Sequence, residues 1–155
     1  MENDHVVITS ALRTPIGKRK GILSAYPAFE LGGNVLKAIL KKSKVDPNSI
    51  DEVILGQVLT GGTGQNPARQ AAIRAGIPVE KTAYLINQVC GSGLRSIAAG
   101  YQSILLGDAK IIIAGGQESM SNASEKTMLV DGLTEFYGNY HMGITAENVA
   151  KKWNI

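Results

Sequence analysis

Apolar runs and apolar periodicities alternate along the first three-quarters of the chain. Val6-Val7-Ile8 is a short β-branched run that predicts a buried first strand, and Pro15 and Gly17 mark the turn beyond it. From Ala28 to Lys42, Leu31, Val35, Ala38 and Ile39 recur at helical spacing, with Lys37, Lys41 and Lys42 toward the end that favours positive charge. Asp46-Pro47-Asn48-Ser49 breaks that helix, and Ile50 to Gly56 predicts a second strand. Pro67 opens a helix that runs to about Ala75, where Gly76-Ile77-Pro78 ends it. Ala83 to Ile86 predicts a third strand. From Gly91 to Leu106 the residues Leu94, Ile97, Ala98, Tyr101, Ile104 and Leu105 keep helical spacing, and the small residues Ala98, Ala99 and Gly100 imply close packing on several sides. That helix is expected to be central to its domain. Lys110 to Gly116 predicts a fourth strand ending in a glycine pair.

This β-α-β-α-β-α-β order specifies an α/β fold with a mostly parallel sheet and helices on both faces. After Gly116 the character changes. Gln117 to Glu125 is polar and loop-like, Asp131-Gly132 and Tyr137-Gly138-Asn139 are turn signals, and a last helix is expected from Ala146 to Trp153 with Thr145 as its N-cap. In open parallel sheets ligands gather beyond the carboxyl ends of the strands. The segments after the second, third and fourth strands are therefore expected to share one face.

Composition narrows the function classes. The chain has 155 residues, 44% of them hydrophobic and 19% charged, which suits one globular domain with a sizeable core. Aromatics make up only 5%, too few for base-stacking platforms, and the net charge of +3 is spread without a long basic run. A small anionic ligand is favoured over nucleic acid. Lys18-Arg19-Lys20 reads as a solvated loop. The glycines of Thr60-Gly61-Gly62-Thr63-Gly64 match neither a P-loop nor a dinucleotide fingerprint, so they read as a loop needing positive φ. One cysteine points to a reducing compartment, no signal peptide is visible, and no apolar stretch approaches the ~20 residues that span a membrane. A cytoplasmic location is expected.

That one cysteine is Cys90, set between the third strand and the following helix. A lone cysteine is more often an inert small hydrophobe than a nucleophile. The setting argues for the nucleophile. A helix N-terminus offers unpaired N–H groups and partial positive charge, which favour a thiolate. Gly91 and Gly93 leave room for a substrate, and the backbone N–H groups at this turn are candidate oxyanion donors. The chemistry indicated is acyl or thioester transfer through an acyl-cysteine. His5 lies in a polar tail. His141 lies far along the chain and reads as a pocket-lining or hydrogen-bonded histidine before a base. One cysteine and two distant histidines make no metal-ligand cluster.

At these residues a family resemblance emerges. Asn87-Gln88-Val89-Cys90-Gly91-Ser92-Gly93-Leu94 resembles the acyl-cysteine motif of the thiolases. Thr14-Pro15-Ile16-Gly17, Gly64 to Gln70, Ala114 to Ser121 and Tyr140 to Asn148 are similar to further thiolase signatures, in the family's order. The Gln88-Val89-Cys90 and Phe136-Tyr137 neighbourhoods look most like the acetyl-CoA acetyltransferase branch. The resemblance implies a thiolase-like N-terminal half over 1–118, lacking its last strand, and the start of a loop domain over 119–155. It implies condensation of two acetyl-CoA molecules to acetoacetyl-CoA, or the reverse thiolysis, through acyl-Cys90. Substrates are then acetyl-CoA and acyl-CoA, with no permanently bound cofactor, and the full-length form is a homo-oligomer, dimer or tetramer. His141 and Met142 match residues beside the family's pantetheine and acyl pocket. The family's second half brings a Gly-His-Pro histidine, a second catalytic cysteine in Cys-x-Gly-Gly-Gly and an oxyanion-hole asparagine, none of which occurs here. Between Ser121 and Asp131 the chain is shorter than the family's usual linker. The alternative is a catalytically inactive fragment that acts only as a folded binding or assembly module.

Overall fold

A computed structural model describes residues 5–155. Three parallel strands form the sheet. β1 (Glu52–Gly56) lies in the middle, flanked by β2 (Thr82–Ile86) and β3 (Ile112–Gly116), with Leu55 in register with Leu85 on one side and Gly115 on the other. Helices α1 (Ala28–Ser43) and α2 (Pro67–Arg74) cover one face, and α3 (Ser92–Leu106) covers the other. The expected α/β architecture, with a parallel sheet and helices on both faces, is the one observed.

Alternation along β1 explains the two layers. Val53 and Leu55 pack with Ala83, Leu85 and Ile113 against Leu36 and Leu40 of α1 and Ala68, Ala71 and Ala72 of α2. Ile54 and Gly56 point the other way, toward α3, where Gly100 abuts Ile112 and Ala114. Val53 and Ile54 are fully buried, and burying such a side chain contributes about 1.5–3 kcal/mol. Two glycines sit inside α1, where each costs about 1 kcal/mol relative to alanine. They are there because neighbours come close. A Cβ on Gly33 would stand 3.2 Å from the Ala71 carbonyl oxygen, and one on Gly32 would stand 1.9 Å from Gln117 Oε1.

Local chemistry sets the helix ends. Asn66 caps α2 through its side chain, which accepts from the Arg69 N–H, and Pro67 supplies the first helical residue. Gly107 closes α3 in the left-handed region at φ 81°. Asp51 ties the entry of β1 to the entry of β3 by accepting from the Lys110 and Ile111 N–H groups at 2.7 and 3.0 Å, which hold its carboxyl below the ordinary value of 3.8.

Four expectations change. Val6-Val7-Ile8 forms no strand; Val7 and Ile8 are exposed, and no ladder partner for them exists among the described residues. Glu125, expected in a loop, and Asp131-Gly132, expected as a turn, both lie in helical segments. Ser124 caps α4 (Glu125–Thr127) by accepting from the Thr127 N–H, and a π-helical turn (Met128–Leu133) continues it. The last helix, α5 (Met142–Trp153), begins about one turn before Thr145, because His141 Nδ1 accepts from the Gly143 N–H and does the capping itself. Finally, α3 meets the sheet through a stripe of small residues, Ser92, Ser96 and Gly100, while Leu94, Tyr101 and Leu105 on its other side are exposed. Its packing is one-sided among the described residues, whose helices include none long and apolar enough to cross a membrane.

Candidate active site

The carboxyl ends of β1, β2 and β3 open onto one cleft of about 400 Å³. Gly56, Gln57, Val58 and Leu59 line it from β1. Val89, Cys90, Ser92 and Gly93 line it from the β2–α3 junction. Gly116, Gln117 and Glu118 line it from β3, and Met120, Gly132 and Leu133 close it from the segment beyond. The Gly61–Gly64 loop is not part of the lining. Its glycines hold φ between 63° and 94°, as expected of a loop that needs positive φ.

Cys90 is a free, exposed thiol. It stands just before Gly91, the N-cap of α3, so the helix begins at Ser92 rather than at the cysteine. The Gly91 N–H donates to the Gln88 carbonyl at 3.0 Å and is thereby taken. The Gly93 N–H makes no hydrogen bond among the described residues, as befits the first turn of a helix, and Gly93 lines the cleft. Cys90 and Gly93 thus line one cleft. His141 and Met142 do not line it. His141 is exposed and committed to its capping bond, and Met142 is the first residue of α5.

Sequence reasoning assigned no role to the polar residues of this cleft. Gln57 and Gln117 are both buried. Gln117 Nε2 donates to Gln57 Oε1 at 2.8 Å, and Gln57 Nε2 donates to the Leu59 carbonyl at 2.8 Å. Glu118 pins the β1 side of the wall: its carboxylate accepts from the Val58 N–H at 2.9 Å and the Leu59 N–H at 3.3 Å. The only available signal was the run of polar residues directly after a buried strand. Its partners lie some 60 positions away, beyond the reach of local pattern.

The Glu118 side chain keeps a solvent-exposed edge, yet its carboxyl group is largely surrounded by protein. Burial pushes it above the ordinary value of 4.5, with the N–H groups of Val58, Leu59 and Ser119 pulling the other way. An acid raised in the fold stabilises the fold when protonated. That contribution is full below the unfolded value and is lost as pH rises through the raised folded value. Glu118→Gln keeps an acceptor oxygen and carries no charge. Its melting temperature relative to wild type should therefore rise between pH 4 and pH 7. The shift is a fraction of the ~1.4 kcal/mol that one pKa unit represents, because the group is partly solvated. A difference that stays constant across that range would contradict the assignment.

Comparison with known proteins follows the same residues. The family model for the thiolase N-terminal domain matches residues 6–128. An acetyl-CoA acetyltransferase of Rhizobium meliloti (strain 1021) is 52% identical over 171 residues, covering 100% of this chain and 44% of that protein. The cytosolic acetyl-CoA acetyltransferase of Mus musculus is 48% identical, covering 99% of this chain and 43% of that protein. A probable acetyl-CoA acyltransferase of Staphylococcus epidermidis is 47% identical, covering 97% and 42%. The chain spans less than half the length of these relatives. An alignment of 171 residues against a chain of 155 also leaves at least 16 positions without a counterpart here.

Proposed function

The chain belongs to the thiolase family, and from that premise we propose that Cys90 accepts an acyl group from an acyl-CoA thioester, acetyl-CoA in the first instance. The observation that carries this reading is the placement of Cys90. It is an exposed thiol in a cleft at the carboxyl ends of a parallel sheet, a cleft that Gly93 in the first turn of α3 also lines.

In the proposed step the Cys90 thiolate attacks the thioester carbonyl carbon, and the carbonyl electron pair moves onto oxygen. The Gly93 N–H is the donor to that oxyanion, a role worth about 3 kcal/mol per donor in acyl transfer. Gly91, whose own N–H is engaged, contributes by lacking a side chain where the thioester approaches. The oxyanion then collapses, the bond to the CoA sulfur breaks, and coenzyme A leaves as its thiolate. In the whole protein a second acetyl-CoA, deprotonated at its α-carbon, attacks acetyl-Cys90 to give acetoacetyl-CoA, and thiolysis is the reverse. His141 and Met142 enter as contacts to the pantetheine arm outside the cleft, where His141 offers Nε2. The loop-domain segment after residue 118 supplies Met120, Gly132 and Leu133 as the outer wall. We infer that the positions missing from the alignment fall between Ser121 and Asp131. The exposed apolar side of α3 is the surface through which this part joins the rest of a homo-oligomeric enzyme.

The test is intact mass after incubation with acetyl-CoA. Wild type should gain one acetyl group, reversible by added coenzyme A, and Cys90→Ser should gain no thioester-linked acetyl. Wild type that remains unmodified while its thiol still reacts with iodoacetamide would sink the proposal.

A further inference from the structure

The turn that presents Cys90 contains the one β-branched residue of the described chain with positive φ. Val89 sits at φ 49°. A β-branched side chain in the left-handed region is a genuine outlier, and such conformations persist only where the surroundings over-determine them. Here the surroundings can be named. The Val89 N–H donates to Asn87 Oδ1 at 2.9 Å. Ser92 Oγ accepts from the Gln88 N–H at 2.9 Å and donates to the Val89 carbonyl at 2.6 Å, so one hydroxyl grips the peptide groups on both sides of residue 89's turn. Ser92 is itself buried, and its backbone is pressed against Gly56 of β1. The clamp is thus anchored to the central strand.

We propose that Ser92 is a positioning residue for Cys90: its hydroxyl holds Val89 in the left-handed region, and that conformation aims the thiol into the cleft and toward the open N-terminus of α3. The proposal deepens the acyl-transfer reading and rests on it for its purpose. Without the hydroxyl, Val89 relaxes to negative φ, residues 88–90 unwind, and the sulfur swings away from the Gly93 N–H. A glycine at position 89 has no strain to release, so it needs no clamp.

Four variants and one probe test this. The probe is the second-order rate of Cys90 alkylation by iodoacetamide, read by intact mass on protein shown to be folded by circular dichroism. Ser92→Ala should slow alkylation about tenfold, which corresponds to 1.4 kcal/mol at 25 °C. Adding Val89→Gly to Ser92→Ala should restore the rate to within about twofold, whereas adding Val89→Ala, which also shrinks the side chain but keeps a Cβ, should restore less of it. Ser96→Ala is the structural control. Ser96 is equally buried, its Oγ lies 2.6 Å from both the Gly93 and Gly115 carbonyl oxygens, and it does not touch the turn. It should cost stability and leave alkylation within about twofold of wild type. Folded Ser92→Ala at the wild-type rate, a double variant as slow as Ser92→Ala, or Ser96→Ala equally slow would each overturn the proposal. Acetylation by acetyl-CoA is measured alongside. Its failure in wild type with normal alkylation counts against acyl transfer, while the alkylation series still decides the positioning role.

Discussion

Gly56→Ala should reduce the unfolding free energy by about 3 kcal/mol, at the upper end of what overpacking a well-packed site costs, and should slow Cys90 alkylation in whatever folded protein remains. The added Cβ would lie 2.4 Å from the Ser92 carbonyl carbon and 2.6 Å from both the Gly93 nitrogen and the Ser92 carbonyl oxygen. All three are backbone atoms, so no side chain can rotate aside. Retreat of β1 is blocked as well. It is hydrogen-bonded to β2 on one side and β3 on the other, and the Gly56 carbonyl accepts from the Gln117 N–H at 3.0 Å. The remaining way out is for the first turn of α3 to lift off the sheet, carrying Ser92 and the cysteine turn with it. Small domains have only about 5–15 kcal/mol of total stability, so the loss is a large share. Gly115→Ala is the matched comparison: also a glycine at the end of a strand, with nothing within 4 Å of an added Cβ. Its unfolding free energy from urea titration should stay within about 0.5 kcal/mol of wild type. Equal midpoints for the two variants would show that β1 and α3 do not meet as closely as described.

That contact illustrates which parts of the molecule local sequence can specify. Helices α1, α2 and α3 and strands β1, β2 and β3 were legible because each carries its own period and its own stop signal. The buried stripe of α1 was not: Leu36 and Leu40 face the core, whereas of the expected set Leu31, Val35, Ala38 and Ile39, Ala38 is exposed and the others are half-buried. Pro67 opens α2 where proline is tolerated. Val6-Val7-Ile8 has the composition of a strand, but a strand exists only as half of a ladder, and nothing in the run itself names a partner. The start of α5 was misplaced because histidine is not among the favoured N-cap residues, although Nδ1 accepts a backbone N–H as an aspartate oxygen does. Asp131-Gly132 looked like a turn, yet Gly132 rests against Leu59 inside a π-helical turn. The place of Cys90 between a strand and a helix was legible because an apolar run stops before it and a helical period starts after it. Glu118 and Ser92 were quoted within their motifs without a function. The work of each depends on where its oxygens point, across 60 residues for Glu118 and back along one turn for Ser92.

Incubated with acetyl-CoA, the 155-residue chain should release no more than one coenzyme A per chain beyond slow background hydrolysis, and should form no acetoacetyl-CoA. The proposed first half-reaction needs only a cysteine nucleophile and an oxyanion donor, the roles proposed for Cys90 and the Gly93 N–H, and both residues line the cleft. The second needs a base to take a proton from the α-carbon of another acetyl-CoA, so that the carbanion can attack acetyl-Cys90 and expel the cysteine thiolate. A positioned base is worth about 10²–10⁴ in rate. Among the residues lining the cleft, only Cys90 and Glu118 titrate. Cys90 is acylated at that stage and is the only cysteine in the chain. Glu118 spends its carboxylate oxygens on the Val58 and Leu59 N–H groups, which hold it against the wall. His141 stands outside the cleft with Nδ1 turned to Gly143. The proposed reaction should therefore stop at the acyl-enzyme. Released coenzyme A, quantified by a thiol reagent, should plateau at one equivalent, with acetoacetyl-CoA absent by chromatography over hours. Sustained acetoacetyl-CoA formation would mean that a group in this chain does act as the base. Glu118→Gln would then show whether it is Glu118, since the amide still holds the wall but cannot take the proton.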